Sequence, residues 1–406
     1  MAVAHPDHDQ VLIIGAGIGG LALAQGLKKL GIGFSIAEKD VSARSRSQGF
    51  RFRLQAMGWR GLSTCLTPSQ LKIVEELFPE SSTSGYKINA ITGALQDAVF
   101  PLARSGGDES AYTVDRALLK EFLADGLSDN IFYGKTFRRY SVTSSGVQAF
   151  FEDGTSMAGI LLVGADGVHS KVAQQTIPSR RLLDNDGRFI TGRTMLTNDL
   201  RRRSPVMVDR SCLFTDPHSQ SQQTPLILVT DPVRFSQSAQ SFTDAGPLQD
   251  YIYWVLVSRS ETFGETAEAW DRLSSAEAAD LSLKITSHWD SGVTSVLELQ
   301  ERGSTRALKV TSDAPDIFEW QTSGRVTLLG DAVHAVTPAR GLGSNLAIRD
   351  AAAMVDIIAA GGINCSAVAT YEHNMRDTAA SAILHGLREC ELTLKHLSLE
   401  ECHCVE

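Results

Sequence analysis

The chain has 406 residues, 43% hydrophobic and 21% charged, which suits a soluble globular protein of two domains or one large composite. Its net charge of −9 disfavours nucleic acid as a partner, since phosphate binding needs a basic face; the short run Arg201-Arg202-Arg203 reads as a solvated loop. No apolar run approaches the ~18 residues of a membrane helix, the first ten residues lack the apolar core of a secretory signal, and the six cysteines show no C-x-x-C spacing, so we expect a cytoplasmic protein with reduced thiols and no metal site.

The first element is the most telling. Val11 to Ile14 is a short apolar run that reads as a buried strand, and Gly15, Gly17 and Gly20 follow it in G-x-G-x-x-G spacing. An alanine- and leucine-rich helix then runs to about Leu30, and a second strand, Phe34 to Ala37, ends in Glu38. Gly15 permits the tight strand-to-helix turn, Gly17 lets a pyrophosphate approach the backbone, and Gly20 lets the helix pack on the strand. The helix N-terminus offers unpaired N–H groups and a positive dipole end. Glu38 arrives at about the ~20-residue spacing of an acid that accepts from ribose hydroxyls. Together these parts predict a dinucleotide site.

A polar loop is expected over Lys39 to Ser47, then a strand turning into a helix over Gly49 to Leu62. Alternation puts Arg51 and Arg53 on one face of that strand. Ala90 to Leu102 reads as a pair of short strands, Asp115 to Leu127 as an amphipathic helix, and Ile131 to Phe137 as a strand. Tyr140 to Met157 reads as an antiparallel ribbon with turns at Ser145-Gly146 and Asp153-Gly154, and Gly159 to Ala165 as a buried strand leading into Asp166-Gly167.

From about Arg188 the pattern changes to antiparallel strands: Phe189 to Leu196, Cys212 to Thr215, Leu226 to Thr230 and Tyr251 to Val257, with a loop at Ser219 to Thr224. Glu265 to Trp289 has helical spacing and Val293 to Val310 reads as strand. Arg325 to Leu329 is a buried strand leading into Gly330-Asp331, Gly343 to Ile358 is a glycine-started helix, and roughly the last forty residues look helical, with Cys402-His403-Cys404 in a frayed tail. Nucleotide-binding parts at both ends thus bracket an antiparallel insert. The expected division is residues 1–184 with 320–365, an insert of 185–319, and a helical segment of 366–406.

Three separated segments carry a resemblance. They are the glycine unit, Gly164-Ala165-Asp166-Gly167-Val168-His169-Ser170-Lys171, and Gly330-Asp331-Ala332-Val333-His334 followed by Pro338, Gly341, Gly343 and Asn345. In this order they resemble the single-component, class A FAD-dependent aromatic hydroxylases typified by para-hydroxybenzoate hydroxylase. The resemblance covers most of residues 11–180 and 320–356 and is weak over 185–320. It implies an α/β fold: a Rossmann-like, glutathione-reductase-like FAD-binding domain with an inserted antiparallel substrate domain and C-terminal helices.

The resemblance also implies roles. Asp331 would accept from the ribityl chain, with Gly330 leaving room for the flavin. Gly341 and Gly343 would start a helix that faces the pyrimidine edge, with Asn345 beside it and Pro338 near the reactive edge. Asp166-Gly167 would serve both FAD and NAD(P)H. Arg116 would reach the FAD, and Arg51, ahead of Arg53, would act near the mobile flavin. His169 and His334 read as structural. The implied reaction uses NADPH or NADH and O2 to hydroxylate or epoxidise an aromatic molecule through a C4a-hydroperoxyflavin, in a monomer or homodimer. Phe214, Tyr251, Tyr253 and Trp254 of the insert suit a flat substrate, although each also reads as sheet core. A halogenase would carry W-x-W, and the five tryptophans contain no such pair. An oxidase or dehydrogenase without oxygen insertion, or an inactive FAD-binding module, are the alternatives.

Overall fold

The computed structural model describes residues 10–43, 50–80, 84–101, 111–221, 224–243, 246–317, 320–338 and 341–405. Residues 44–47 of the expected polar loop, Gly49, Leu102 and residues 222–223 lie outside the described residues.

Five strands form an all-parallel sheet in the spatial order Val326–Leu328, Leu161–Gly164, Val11–Ile14, Phe34–Ala37, Ile131–Phe132. All four residues of Val11–Ile14 and of Leu161–Gly164 are buried, as expected of strands covered on both faces. The helix Ile18–Lys29 covers one side of this sheet and packs against the long helix Gly343–Gly361. That contact is close because Gly26 has no side chain: a Cβ there would lie 2.3 Å from Val355 Cγ2.

The insert is a large, mostly antiparallel sheet. Its spatial order is Arg306–Asp313, Leu182–Met195, Tyr251–Arg259, Ile227–Val233, Ser211–Thr215, Ser84–Asn89, Leu95–Pro101. Ser84–Asn89 pairs in parallel with Ser211–Thr215, so a hairpin from before residue 102 extends this sheet. The hairpin begins earlier than the expected pair of strands, with its turn around Gly93 at φ 67°. The two faces differ in the strand Tyr251–Arg259. Ile252, Trp254 and Leu256 pack with Trp270, Leu281 and Val296 from the covering helices. Tyr251, Tyr253, Val255 and Val257 occupy the opposite face. Phe214 and Trp254, each fully buried, are therefore core of the helix-covered face.

Three local expectations are corrected. Ser291–Glu298 is helix where strand was expected, because Asp290 caps it by accepting from Gly292 N at 2.9 Å and Val293 N at 3.4 Å; the strand begins at Arg306. The strand after Asn130 is short, Ile131–Phe132. The tail is ordered: after the helix Cys365–Leu394, His403–Val405 pairs antiparallel with Leu182–Asp184. It docks beside a bulge between Asp184 and Arg188, where Asp186 takes φ 64°. His396 fills the space left by Gly187, whose added Cβ would lie 2.3 Å from His396 Cε1. No helix among the described residues is long and apolar enough to cross a membrane.

His396 sets a pH dependence. It is buried, and neither ring nitrogen has a hydrogen-bond partner among the described residues. Burial pushes its pKa down from 6.5 to about 4; Asp186 opposes this, while Arg259 and Arg188 add to it. A depressed histidine contributes stability that is complete above the unfolded-state value and is lost as pH falls towards the folded-state value. Urea unfolding should therefore show wild-type protein losing about 3 kcal/mol between pH 6.5 and pH 4 that His396→Gln does not lose. Parallel profiles for the two proteins would refute this assignment.

Candidate functional site

The glycine turn is built by close approach. Gly15 has φ 112°, and a Cβ there would lie 2.4 Å from Ala165 O, so the turn sits directly against the strand Leu161–Gly164. Gly20 is as constrained, its added Cβ lying 2.2 Å from Gly15 O. Gly17 differs: an added Cβ meets nothing within 4 Å, because the position faces an open groove. Gly17 also serves as N-cap of the helix Ile18–Lys29 without any side-chain cap, so the first-turn N–H groups are left for a ligand.

The groove has a volume of about 340 Å³. Gly15, Gly17, Gly20, Glu38, Arg116, Asp166, Gly167, Gly330, Asp331 and Gly343 all line it. Glu38 is buried, and its two oxygens accept from Ala16 N at 2.7 Å and Asp40 N at 2.9 Å. Each oxygen retains a second lone pair, so the residue can order the turn and still accept from a hydroxyl. Asp166 is more committed. It accepts from the Ser170 hydroxyl at 2.5 Å and from Lys171 N at 2.9 Å, which shapes the loop before the short helix Lys171–Thr176, and burial raises its pKa.

Across the groove, Gly330 turns the chain at φ 59° and its N–H donates to Asp350 Oδ2 at 2.9 Å. The same oxygen bonds His334 Nε2 at 2.5 Å. Burial lowers the His334 pKa, but Asp350 outweighs it and the net direction is up. His334 is thus a buried prop for the turn, while His169 is exposed at the groove. Asp331 points outward, exposed, and none of the described residues hydrogen-bonds its carboxylate. Arg116 faces it; burial lowers the arginine's pKa and Asp331 opposes this. Arg116 Nη1 also donates to Ser344 Oγ at 2.7 Å.

Four expected site residues lie off this groove. Gly341, at φ 63°, closes a turn by donating to Pro338 O at 3.0 Å, and Pro338 is exposed there. The helix Gly343–Gly361 that follows has no side-chain cap. Asn345 is fully buried and makes three hydrogen bonds: Oδ1 accepts from Gln55 N at 2.7 Å, and Nδ2 donates to Arg53 O at 2.8 Å and Gly341 O at 2.9 Å. It clamps the turn to the strand Arg51–Gln55. Arg51 turns to the large sheet, 2.8 Å from Asp231 Oδ2, with Arg53 beside it. A second cavity of about 660 Å³, lined by Phe50, Met195, Phe235, Leu248 and Arg193 among others, meets the groove at Arg116.

Several residues that build the site carry no sequence signal. Arg180 and Asp313 form a buried bidentate pair at 2.8 and 2.7 Å. Tyr251 donates to Asp115 Oδ2 at 2.7 Å, which burial and this carboxylate together translate into a strongly raised tyrosine pKa. Asp231 and Asp350 are likewise isolated acids in the sequence that become shared acceptors in the fold.

These features fit FAD. The open glycine turn and uncapped helix suit a pyrophosphate, Glu38 and Asp331 suit hydroxylated chains on either side, and the uncapped helix at Gly343 suits an electron-rich ring edge. The sequence profile of the FAD binding domain family matches residues 113–384. The chain belongs to this family, that of the class A aromatic hydroxylases. It is 35% identical over 377 residues to the dual O-methyltransferase/FAD-dependent monooxygenase elcB of Phaeosphaeria nodorum, covering 86% of this chain and 40% of elcB. It is 26% identical to the FAD-dependent monooxygenase thnD of Trichoderma harzianum, over 86% of this chain and 82% of thnD. The chain spans less than half the length of elcB and of the two related Cercospora proteins. Among solved structures, a candidate FAD-containing monooxygenase of Photorhabdus luminescens superposes with a TM-score of 0.79 at 28% identity, over 95% of this chain and 99% of that one. Klebsiella pneumoniae HpxO, solved with FAD and uric acid, shares the fold with a TM-score of 0.73 at 22% identity, over 97% of this chain and 91% of that one.

Asp331→Ala tests the groove. A lost hydrogen bond to a charged acceptor is worth roughly 1.5–3 kcal/mol, about one to two decades in the FAD dissociation constant. Fluorescence titration of apoprotein should show that loss with the unfolding midpoint retained. Unchanged FAD affinity would remove Asp331 from the cofactor.

Proposed function

We propose that the chain is an FAD-dependent monooxygenase that uses NADPH or NADH and O2 to hydroxylate or epoxidise an aromatic small molecule. The observation that carries this reading is the convergence of ten residues from separated sequence motifs on one groove, which opens at Arg116 into a larger apolar cavity. When bound, FAD supplies the redox chemistry, taking up a hydride and enabling transfer of one oxygen atom from O2.

The chain's own residues have the remaining tasks. Gly17 and the N–H groups behind it would take the pyrophosphate, and Glu38 and Asp331 would accept from hydroxyls of the cofactor. Arg116 offsets negative charge between groove and cavity. The clamp made by Asn345 sets the distance between the Gly341 turn and the strand Arg51–Gln55, and Pro338 lies at the exposed start of that turn. Phe50, Met195, Phe235 and Leu248 give the cavity apolar walls that exclude water from the reacting face. Residues 1–184 and 320–365 supply the cofactor unit in this reading, and the large sheet, which the strands Ser84–Asn89 and Leu95–Pro101 extend, forms the substrate unit.

The relatives support it by name: elcB and thnD are FAD-dependent monooxygenases, and a zeaxanthin epoxidase of rice is 26% identical over 348 residues. The pairing of O-methyltransferase with monooxygenase in elcB fits a substrate that carries hydroxyl groups. A cytoplasmic monomer or homodimer is consistent with the same reading.

The test is product analysis under isotopically labelled O2, with aromatic candidates chosen because they accelerate NAD(P)H oxidation. The reading expects one labelled oxygen atom per product molecule. An unlabelled product that has lost two hydrogens would instead establish an oxidase or dehydrogenase.

A further inference from the structure

The cavity beside the groove has apolar walls and a fixed polar edge. Phe50, Met195, Phe235 and Leu248 form the walls, and the volume of about 660 Å³ lies in the range that encloses multi-ring ligands. The polar edge is the pair Arg193 and Glu301, which are joined twice. Glu301 N donates to Arg193 O at 2.9 Å, and Arg193 Nε donates to Glu301 Oε2 at 2.5 Å. One partner comes from the strand Leu182–Met195 and the other from the turn after the helix Ser291–Glu298, so two elements set the position of the pair. The Arg193 guanidinium lies 5.5 and 5.7 Å from the ring centroids of Phe50 and Tyr251, which fixes its direction further.

The pairing leaves both groups usable. Their side chains remain 33% and 41% exposed, and both residues line the cavity. Arg193 Nη1 and Nη2 have no acceptor among the described residues. The bond from Arg193 holds the Glu301 carboxyl below its usual range; partial burial opposes this, and the Arg193 charge and the Ser304 hydroxyl add to it. Glu301 therefore stays ionised and, with two lone pairs on each oxygen, can still accept. The charges that line the cavity balance among the described residues: Arg116, Lys120 and Arg193 stand against Asp115, Glu121 and Glu301. Asp115 is already engaged by Tyr251 and Leu118 N, and Glu121 by Thr243. An anion at this edge would face the Glu301 carboxylate without a spare counter-charge. An uncharged ligand with a donor beside an acceptor satisfies both members, its acceptor taking an Arg193 N–H and its donor reaching Glu301. A ligand without that donor would desolvate Glu301 and leave it unpaired.

We propose that Arg193 and Glu301 form the recognition edge of the cavity and select an uncharged, fused-ring aromatic whose rim carries a hydrogen-bond donor beside a carbonyl, as in hydroxy-ketones and lactams. This rests on the monooxygenase reading and names the substrate class that the cavity selects. Arg193 and Glu301 act as specificity-determining residues. Each neutralises the other, so the edge reads the order of donor and acceptor rather than a charge.

The experiment is equilibrium dialysis of probes against the FAD-loaded protein at neutral pH, without NAD(P)H. 2-Naphthamide presents a donor beside an acceptor, methyl 2-naphthoate an acceptor alone, and 2-naphthoate a negative charge. The amide should bind at least about ten-fold tighter than either of the others. A merely apolar cavity would instead prefer the ester. In a second arm, 1-hydroxy-2-acetonaphthone is compared with 2-acetonaphthone. A donor preference in the first arm alone assigns the edge to amides and lactams, and in the second alone to hydroxy-ketones; either supports the proposal. Glu301→Gln should raise naphthoate affinity at least about ten-fold, because Arg193 loses its counter-charge, whereas a purely structural pair would weaken every probe alike. Arg193→Met should weaken the preferred probe at least about ten-fold. The proposal is overturned if neither arm shows a donor preference, if naphthoate binds as tightly as the tightest uncharged probe, or if no probe binds. It is also overturned if Glu301→Gln fails to raise naphthoate affinity or if Arg193→Met leaves the preferred probe unchanged. Where a variant does not fold, the wild-type affinities decide. Because no turnover is involved, this result can fail while labelled oxygen still enters the product, and the reverse.

Discussion

The Arg180–Asp313 pair is the contact on which the rest of the site depends. The guanidinium grips both carboxylate oxygens, and two further N–H groups donate to Val168 O and Asp331 O, each at 2.9 Å. Asp313 in turn accepts from Ala335 N at 2.6 Å. The loop of the second motif, the Gly330-Asp331 turn and the last strand of the insert therefore meet at one buried ion pair. Burial raises the Asp313 pKa, and Arg180 is the main force opposing it. Removing one member of a buried pair leaves an uncompensated charge and costs about 3–5 kcal/mol. The groove's geometry is thus held by two residues that belong to none of the motifs lining it.

The same logic recurs at smaller scale. Asp350 fixes Gly330 and His334, Asn345 fixes the Gly341 turn to the strand Arg51–Gln55, and Asp115 caps the helix Arg116–Ala124 through Leu118 N while accepting from Tyr251 of the large sheet. Each is a buried polar group whose partners come from segments far apart in the chain. Such groups must be satisfied once buried, so each one fixes the relative position of two elements. The large sheet then serves two purposes by alternation alone. Its Trp254 face is sealed by helices, and its Tyr253 face meets the strand Arg51–Gln55, where Arg51 and Arg53 join it.

The groove was legible in the sequence because the pattern that builds it is local. A turn with φ 112° at Gly15, a bare N-cap at Gly17 and an exposed acid at Asp331 each follow from a short strand–turn–helix pattern. The parallel strands were legible as continuous apolar runs. What escaped was non-local. Nothing around Arg180, Asp231 or Asp313 marks them as partners across more than a hundred residues. Helix Ser291–Glu298 was hidden because its capping Asp290 competes with a mixed apolar pattern. The strand at His403–Val405 was hidden because a polar three-residue segment becomes a strand by pairing with Leu182–Asp184. Asn345 was placed correctly on its helix, but its three backbone partners are set by tertiary contacts that no motif encodes.

The central claim is that the groove between the glycine turn and Asp331 is a preformed site for one FAD. Calorimetric titration of the flavin-free protein with FAD, and then with ADP, tests it most directly. The account predicts one FAD bound per chain, with ADP competing at the same stoichiometry because the adenosine and pyrophosphate end is held by the turn and Glu38. A folded protein that binds no FAD, or that binds FAD without competition from ADP, would contradict it.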